Sequence, residues 1–168
     1  MITLLLALDA QVHLYDNGWM GLKDFIALSR KTRDLLTEVK VRRRTASVYH
    51  AFRLTATDLP LINCGISRTG DGQLRIALGA RPAIADVVVC TDPLADAVKE
   101  GHLDLAENTS PCRQTIHTWA KELAAEFTYG TNLRASATYR KHIAAVILEQ
   151  CLVRLYKLLN AKAVGNSR

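Results

Sequence analysis

The chain has few of the features that mark a secreted, membrane-spanning or metal-clustered protein. Its 168 residues hold four cysteines, Cys64, Cys90, Cys112 and Cys151, each at least 22 positions from the next. None forms a CxxC pair or stands beside a histidine at ligand spacing, so reduced, mostly buried thiols are expected rather than a disulfide framework or a zinc site. The apolar opening from Ile2 to Leu8 is stopped by Asp9, far short of the roughly 20 residues of a membrane span. With no basic flank and no small-residue cleavage site it does not read as a signal peptide, and a cytoplasmic address is expected. There is no glycine-rich loop of the Walker or dinucleotide type and no GxSxG elbow. His13, His50, His102, His117 and His142 never fall at i, i+4 on an expected helix, so no metal site is expected and no catalytic constellation is read.

What the chain does have is core. Hydrophobic residues make up 49% and charged residues 23%, the balance of an ordinary globular protein of one domain, or one domain with an appended fragment. The formal net charge is 22 − 16 = +6. Outside the C-terminal helix the densest positive cluster is Lys40 with Arg42-Arg43-Arg44. No aromatic platform interleaves it, so it reads as a solvated linker rather than a nucleic-acid interface, and a boundary is placed near residue 44.

Before that boundary the pattern is strand, short helix, strand. Residues 10–15 alternate, Asp16-Asn17-Gly18 is a turn, residues 21–29 form a short segment, and 35–41 alternate again. After it, residues 47–54, 61–67 and 73–79 read as strands, the last two joined as a hairpin through Arg68-Thr69-Gly70-Asp71-Gly72. Residues 87–90 are a fourth, buried strand. Helices follow. Asp92-Pro93 starts a short one with Asp92 as its cap, and residues 114–127 form a second with Ile116, Trp119 (or Ala120), Leu123 and Phe127 on one stripe. The longest runs from about Ser136, its cap, to about Asn160, with Tyr139, Ile143, Ile147, Cys151, Leu155 and Leu159 at every fourth position. Strands first and helices last predict an α+β fold, a small antiparallel sheet covered by helices on one face.

Two segments exceed their local roles. Residues 132–143 pack a cap, an aromatic and three consecutive basic side chains into one helix start; locally, Tyr139 and Ile143 face inward while Arg140 and Lys141 face water. Asp58 sits in a connection just before Pro60, where a carboxylate is a turn residue by default.

The run Leu-Arg-Ala-Ser-Ala-Thr-Tyr-Arg-Lys-His-Ile (133–143) resembles the RxSxxYRxHL helix start of the flavoprotein (medium) subunits of molybdenum hydroxylases, the xanthine dehydrogenase and carbon monoxide dehydrogenase type. Three further stretches match in the same order: Leu-Leu-Ala-Leu-Asp-Ala-Gln-Val (5–12) and Asp-Leu-Leu-Thr-Glu-Val-Lys-Val (34–41), each like a strand of that family, and Leu-Arg-Ile-Ala-Leu-Gly (74–79). The resemblance implies that residues 45–160 are the family's C-terminal α+β domain, that 1–44 are the tail of the second lobe of its FAD-binding domain, and that 161–168 are a frayed tail. Strands of 1–44 without their neighbours are then expected to be labile, or to self-associate through open edges.

The same resemblance implies FAD as cofactor, in an incomplete site, because the pyrophosphate loops lie upstream in the family and have no counterpart here. Leu35 and Leu36 correspond to residues that approach the isoalloxazine ring. His50 stands where a lysine near the ring's pyrimidine end is common. Asp58 matches a retained aspartate, although the basic residues that often precede it are replaced by Leu54-Thr55-Ala56-Thr57. The implied partners are a molybdenum-cofactor subunit, an iron–sulfur subunit and either a chain supplying the missing FAD-binding half or a second copy; no nucleic acid or membrane is implied. The implied activity is electron relay between iron–sulfur centres and an acceptor such as NAD, with an isolated chain that is inactive. The alternative is a non-catalytic docking module, or a truncated remnant, that does not bind FAD by itself.

Overall fold

In the computed structural model, residues 1–28, 33–44, 46–100, 103–105 and 110–165 are described. The expectations placed on His102, on Ser29 and on residues 166–168 lie outside them. The fold is α+β, with two small antiparallel sheets and five helices among the described residues.

The four-stranded sheet is β4 (Ala46–Phe52), β5 (Ile62–Arg68), β6 (Gln73–Gly79) and β7 (Asp86–Thr91), paired in sequence order as a meander. The β5–β6 hairpin closes through Gly72, whose φ of 86° needs glycine. One face of this sheet carries Ala46, Val48, Ile62, Cys64, Ile66, Leu74, Ile76 and Leu78, and packs against α4 (Pro111–Glu126) and α5 (Ala137–Gly165). Ser110 caps α4, its hydroxyl accepting from the Arg113 N–H at 3.4 Å, and Pro111 sits in the first turn. Of the two residues offered for the α4 stripe it is Ala120 that is buried, with Ile116, Leu123 and Ala124.

The short helix α3 (Ala95–Glu100) begins after an Asx turn rather than at an Asp92 cap. The Asp92 carboxylate accepts from the Leu94 N–H at 2.9 Å. It is also buried, receiving the Arg68 guanidinium at 2.7 Å and the Tyr156 hydroxyl. That network pins β5, the end of β7 and α5 together, and burial beside a carboxylate pushes the Tyr156 phenol well up.

The N-terminal region departs further from expectation. Residues that the resemblance placed in a strand from Leu5 form a helix, α1 (Ile2–Ala7). Its buried residues Thr3, Leu6 and Ala7 recur at i, i+3, i+4 and lie on the second face of the four-stranded sheet. Gly65 and Gly79 make the approach possible. A Cβ on Gly65 would meet the Thr3 carbonyl oxygen at 3.1 Å, and one on Gly79 would collide with the Thr3 hydroxyl. Thr3 donates to Asn63 Oδ1 at 2.7 Å, and the Ser67 hydroxyl donates to the Ala7 carbonyl.

Next come β1 (Gln11–Leu14), β2 (Gly18–Gly21), α2 (Leu22–Leu28) and β3 (Leu36–Lys40). They form a three-stranded sheet in the order β2-β1-β3, with β2 a hairpin partner that alternation had not revealed. Leu6, Ala7, Ala10, Val12 and Leu22 cluster with Ala77 and Val87, so this region shares apolar contacts with the larger sheet.

The arginine run is not a solvated linker throughout. The Arg44 side chain is 8% exposed; it reaches Asp9 at 3.2 Å and donates to the Leu8 carbonyl at 3.3 Å. Arg75 meets the same carboxylate at 2.9 Å. Asp9, in a left-handed conformation (φ 56°), therefore ties the end of α1 to β6 and to the segment before β4.

Candidate functional site

The two segments singled out in the sequence meet in space. Asn132 and the start of α5 lie against the β4–β5 connection, where Arg134 donates to the Leu59 carbonyl at 2.6 Å and stands 3.9 Å from the Asp58 carboxylate. The Ser136 hydroxyl accepts from the Tyr139 N–H at 3.2 Å, confirming it as the cap. Arg140 reverses its expected placement. It is 2% exposed, while Tyr139 is 43% exposed. Its guanidinium donates to the carbonyls of Leu61 and Ala80 and to Asn132 Oδ1, the last two at 2.8 and 2.7 Å. Buried strand-end carbonyls need donors, and one five-donor fork supplies three of them. The motif is thus a latch joining α5 to the ends of β5 and β6.

The four residues expected to face a flavin do not form one constellation. Leu35 and Leu36 are exposed on or beside β3 in the smaller sheet. His50 is half-buried on β4, opposite Cys64. Strand alternation puts it on the face of Val48 and Phe52, which join the helix-side core. Asp58 is half-buried in the β4–β5 connection with Arg134 beside it. Among the described residues no hydrogen bond or ion pair joins any two of the four.

The surface around Leu35 and Leu36 has an aromatic and basic rim. His13 and Trp19 pack edge to face with ring centroids 5.0 Å apart, and the Lys40 ammonium lies 5.9 Å from the Trp19 ring centre. The Asp34 carboxylate accepts from the backbone N–H groups of Asp16, Asn17 and Leu35, and from the Asn17 amide at 2.7 Å. Those bonds, the Asn17 side chain's foremost, hold its pKa below the usual carboxylate value.

A flavin dinucleotide needs a place for its pyrophosphate as well as its ring. Among the glycines placed above, Gly65 and Gly79 are covered by α1. Gly72 is a hairpin turn, and at Gly130, before α5, a Cβ would meet the Pro82 carbonyl oxygen at 2.9 Å. None of these four opens a backbone cradle onto free space, and Gly18, with open space beside it, stands alone in the β1–β2 turn.

One cluster had no signal in the sequence. His117 on α4 holds Glu149 on α5 through a 2.8 Å contact, and Arg113 stands 3.6 Å from the same carboxylate, on the wall of a cavity of about 470 Å³. The pair can hold and orient a proton. Its partners lie on different helices, which no spacing rule brings together. Among the described residues no three His, Cys, Asp or Glu side chains gather as a metal ion would require, and no helix is long and apolar enough to cross a membrane.

No protein-family model matches the chain, and no curated protein matches it. Solved structures do. The fold is similar to a chain of quinoline 2-oxidoreductase from Pseudomonas putida 86, with a TM-score of 0.68 at 16% identity, covering 94% of this chain and 55% of that one. It is similar to a chain of a carbon monoxide dehydrogenase from Hydrogenophaga pseudoflava that lacks the Mo-pyranopterin moiety of the molybdenum cofactor, with a TM-score of 0.66 at 18% identity over 94% and 56%. Reconstituted carbon monoxide dehydrogenase from Oligotropha carboxidovorans gives 0.64 at 15% over the same shares. At such identities the likeness is one of fold. The chain spans just over half the length of the chains it matches.

Proposed function

We propose that the chain is the C-terminal part of the FAD-binding, electron-transferring subunit of a molybdenum hydroxylase, a cytoplasmic multi-subunit oxidoreductase. Residues 45–160 are its C-terminal domain, 1–44 the tail of the second FAD-binding lobe and 161–168 a trailing segment. The observation that carries this reading is the fold shared over 94% of the chain with quinoline 2-oxidoreductase and carbon monoxide dehydrogenase chains. The motifs in residues 5–12, 34–41, 74–79 and 133–143 support it in the same order. In this reading Leu35 and Leu36 face the flavin ring, with His50 and Asp58 closing the site from the larger sheet. The phosphate cradle comes from outside residues 1–168. Electrons pass between iron–sulfur centres and an acceptor such as NAD, with molybdenum and iron–sulfur subunits as partners, and the isolated chain is inactive.

The spread of Leu35, Leu36, His50 and Asp58 over two sheets favours a second reading, in which the chain is a docking module that binds no FAD by itself. Titrating FAD into the purified chain while following flavin fluorescence separates the two. Saturable binding at micromolar FAD or below supports a surviving flavin site. Unquenched, unsaturable fluorescence rejects it for the chain alone, and makes the docking module the reading to pursue.

A further inference from the structure

We propose that the open edge of β3 pairs with the β3 edge of a second copy of this chain, antiparallel, about a twofold axis through Val39. The inference rests on the strand itself and not on the flavin reading. Strand β3 is the last in the order β2-β1-β3, so only its β1 side is paired among the described residues, and all five of its positions are exposed. Its apolar content is high for an open edge. Leu35, Leu36, Val39 and Val41 are 67%, 41%, 47% and 44% exposed. An edge with unpaired backbone groups and apolar side chains is a template for another strand unless charge or a bulge blocks it. The register shift of β3 against β1 falls at Thr37, between Leu36 and Glu38, and leaves Glu38–Lys40 regular.

Here the charge selects the strand's own copy. Acidic groups stand at the start and middle (Asp34, Glu38) and basic groups at the end (Lys40, Arg42, Arg43). Antiparallel pairing sets each end beside its opposite, whereas in-register parallel pairing sets like on like. A symmetric antiparallel pair has its axis through one residue pair, because hydrogen-bonded and non-hydrogen-bonded pairs alternate. An axis through Glu38 or Lys40 puts identical charges face to face, and one through Thr37 puts Glu38 against Leu36. An axis through Val39 sets Val39 on Val39 and Glu38 on Lys40 twice, within the regular part of the strand. Directly opposed unlike charges stabilise a strand pair and like charges destabilise it. The product is a continuous six-stranded sheet.

Sedimentation of the full chain between about 1 and 300 µM tests this, a range suited to weak association. Wild type is expected to show a reversible monomer–dimer equilibrium. Glu38→Lys and Lys40→Glu each create two like-charge pairs and are expected to weaken it roughly tenfold or more. The double variant E38K/K40E restores it. An equimolar mixture of the two single variants forms a heterodimer, because every mixed pair again joins opposite charges. Circular dichroism and melting confirm that each variant is folded. A wild type that stays monomeric overturns the proposal, as does a dimer indifferent to the single changes or a mixture that fails to associate.

Discussion

Strands β5 and β3 make opposite use of short mixed sequences. Every position of Ile62–Arg68 is buried, and every position of Leu36–Lys40 is exposed. Composition does not explain this, since β5 contains Asn63, Ser67 and Arg68 and β3 contains Leu36 and Val39. The difference is layers. Helix α5 covers one face of β5 and α1 covers the other, and each polar residue of β5 has a partner: Thr3 for Asn63, the Ala7 carbonyl for Ser67, Asp92 for Arg68. Strand β3 has β1 along one edge and no comparable cover. Burial of a strand belongs to what is stacked on it, and polar residues survive there when the stack supplies their hydrogen bonds.

The comparison breaks hardest at Arg140. Replacing it with alanine leaves the carbonyls of Leu61 and Ala80 without their donor at the strand ends, while Asn132 Oδ1 keeps the Arg134 and Ala135 N–H groups. At about 1–3 kcal/mol for each stranded buried group, with partial relaxation, the expected loss is about 3–5 kcal/mol. The thermal midpoint should fall by roughly 10 °C or more. Arg140→Lys recovers only part, because a compact ammonium cannot span three acceptors as a planar fork does. A fall no larger than that of an exposed substitution would mean that the latch is ornamental and that the larger sheet stands on its apolar core alone.

A smaller effect is expected where the second layer meets the sheet. Gly79→Ala puts a methyl into the Thr3 hydroxyl and within 2.6 Å of Asn63 Oδ1. Overpacking of this kind costs about 1–3 kcal/mol. Its signature is local: amide exchange in α1 and along β5 should speed up, making β5 more like β3, while the α4–α5 face keeps its protection. Unchanged exchange in α1 would show that the helix is held by the Asp9 ion pairs rather than by close approach to the sheet.

Helix α1 also marks where the sequence was hard to read. Strands β4 to β6 and helices α4 and α5 were legible from their patterns and Ser136 as a cap. The run 87–90 was legible only as an apolar stretch, and the buried strand expected there is a half-open edge with Val89 49% exposed. Six residues cannot display a helical period, and α1 is helical because two glycines of distant strands admit it. The wheel of α5 was read one position off at its start. Tyr139 shares a stripe with Ile143 and Ile147, so it looked inward. Arg140 took that place because strand-end carbonyls, brought close only by the fold, outbid an apolar contact. The meeting of Asp58 with Arg134 and of His117 with Glu149 depends on the same long-range assembly. Leu35, Leu36, His50 and Asp58 came from family resemblance rather than local chemistry, and the fold spreads them over two sheets.

The gentlest probe is pH, because Asp34 in the smaller sheet and Cys90 in the larger carry shifts of opposite sign. Asp71 in the β5–β6 turn, lowered by the Thr69 hydroxyl, is changed to alanine throughout so that the acid step reports Asp34 alone. Asp34 has its pKa held below 3.8, first by the Asn17 side chain and then by backbone N–H groups. The unfolded chain binds this proton more readily, so the stabilisation is present above about pH 4 and is lost as pH falls through the folded value. On the larger sheet, burial pushes the Cys90 thiol from 9.0 up to about 11, helped by the Glu126 and Asp92 charges, and it pushes the Tyr129 phenol up as well. There the folded state keeps the proton longer. That contribution is whole below about pH 9 and is lost as pH rises through about 11. The chain's two tryptophans report the regions separately, Trp19 on β2 and Trp119 on α4. With the other tryptophan changed to phenylalanine, Trp19 fluorescence should show an acid step that Asp34→Ala removes, and Trp119 an alkaline step that Asp34→Ala leaves alone. If both tryptophans moved together in both titrations, the two sheets would unfold as a single cooperative unit. The exposure of β3 would then be a surface feature of that unit rather than the sign of a separately stable region.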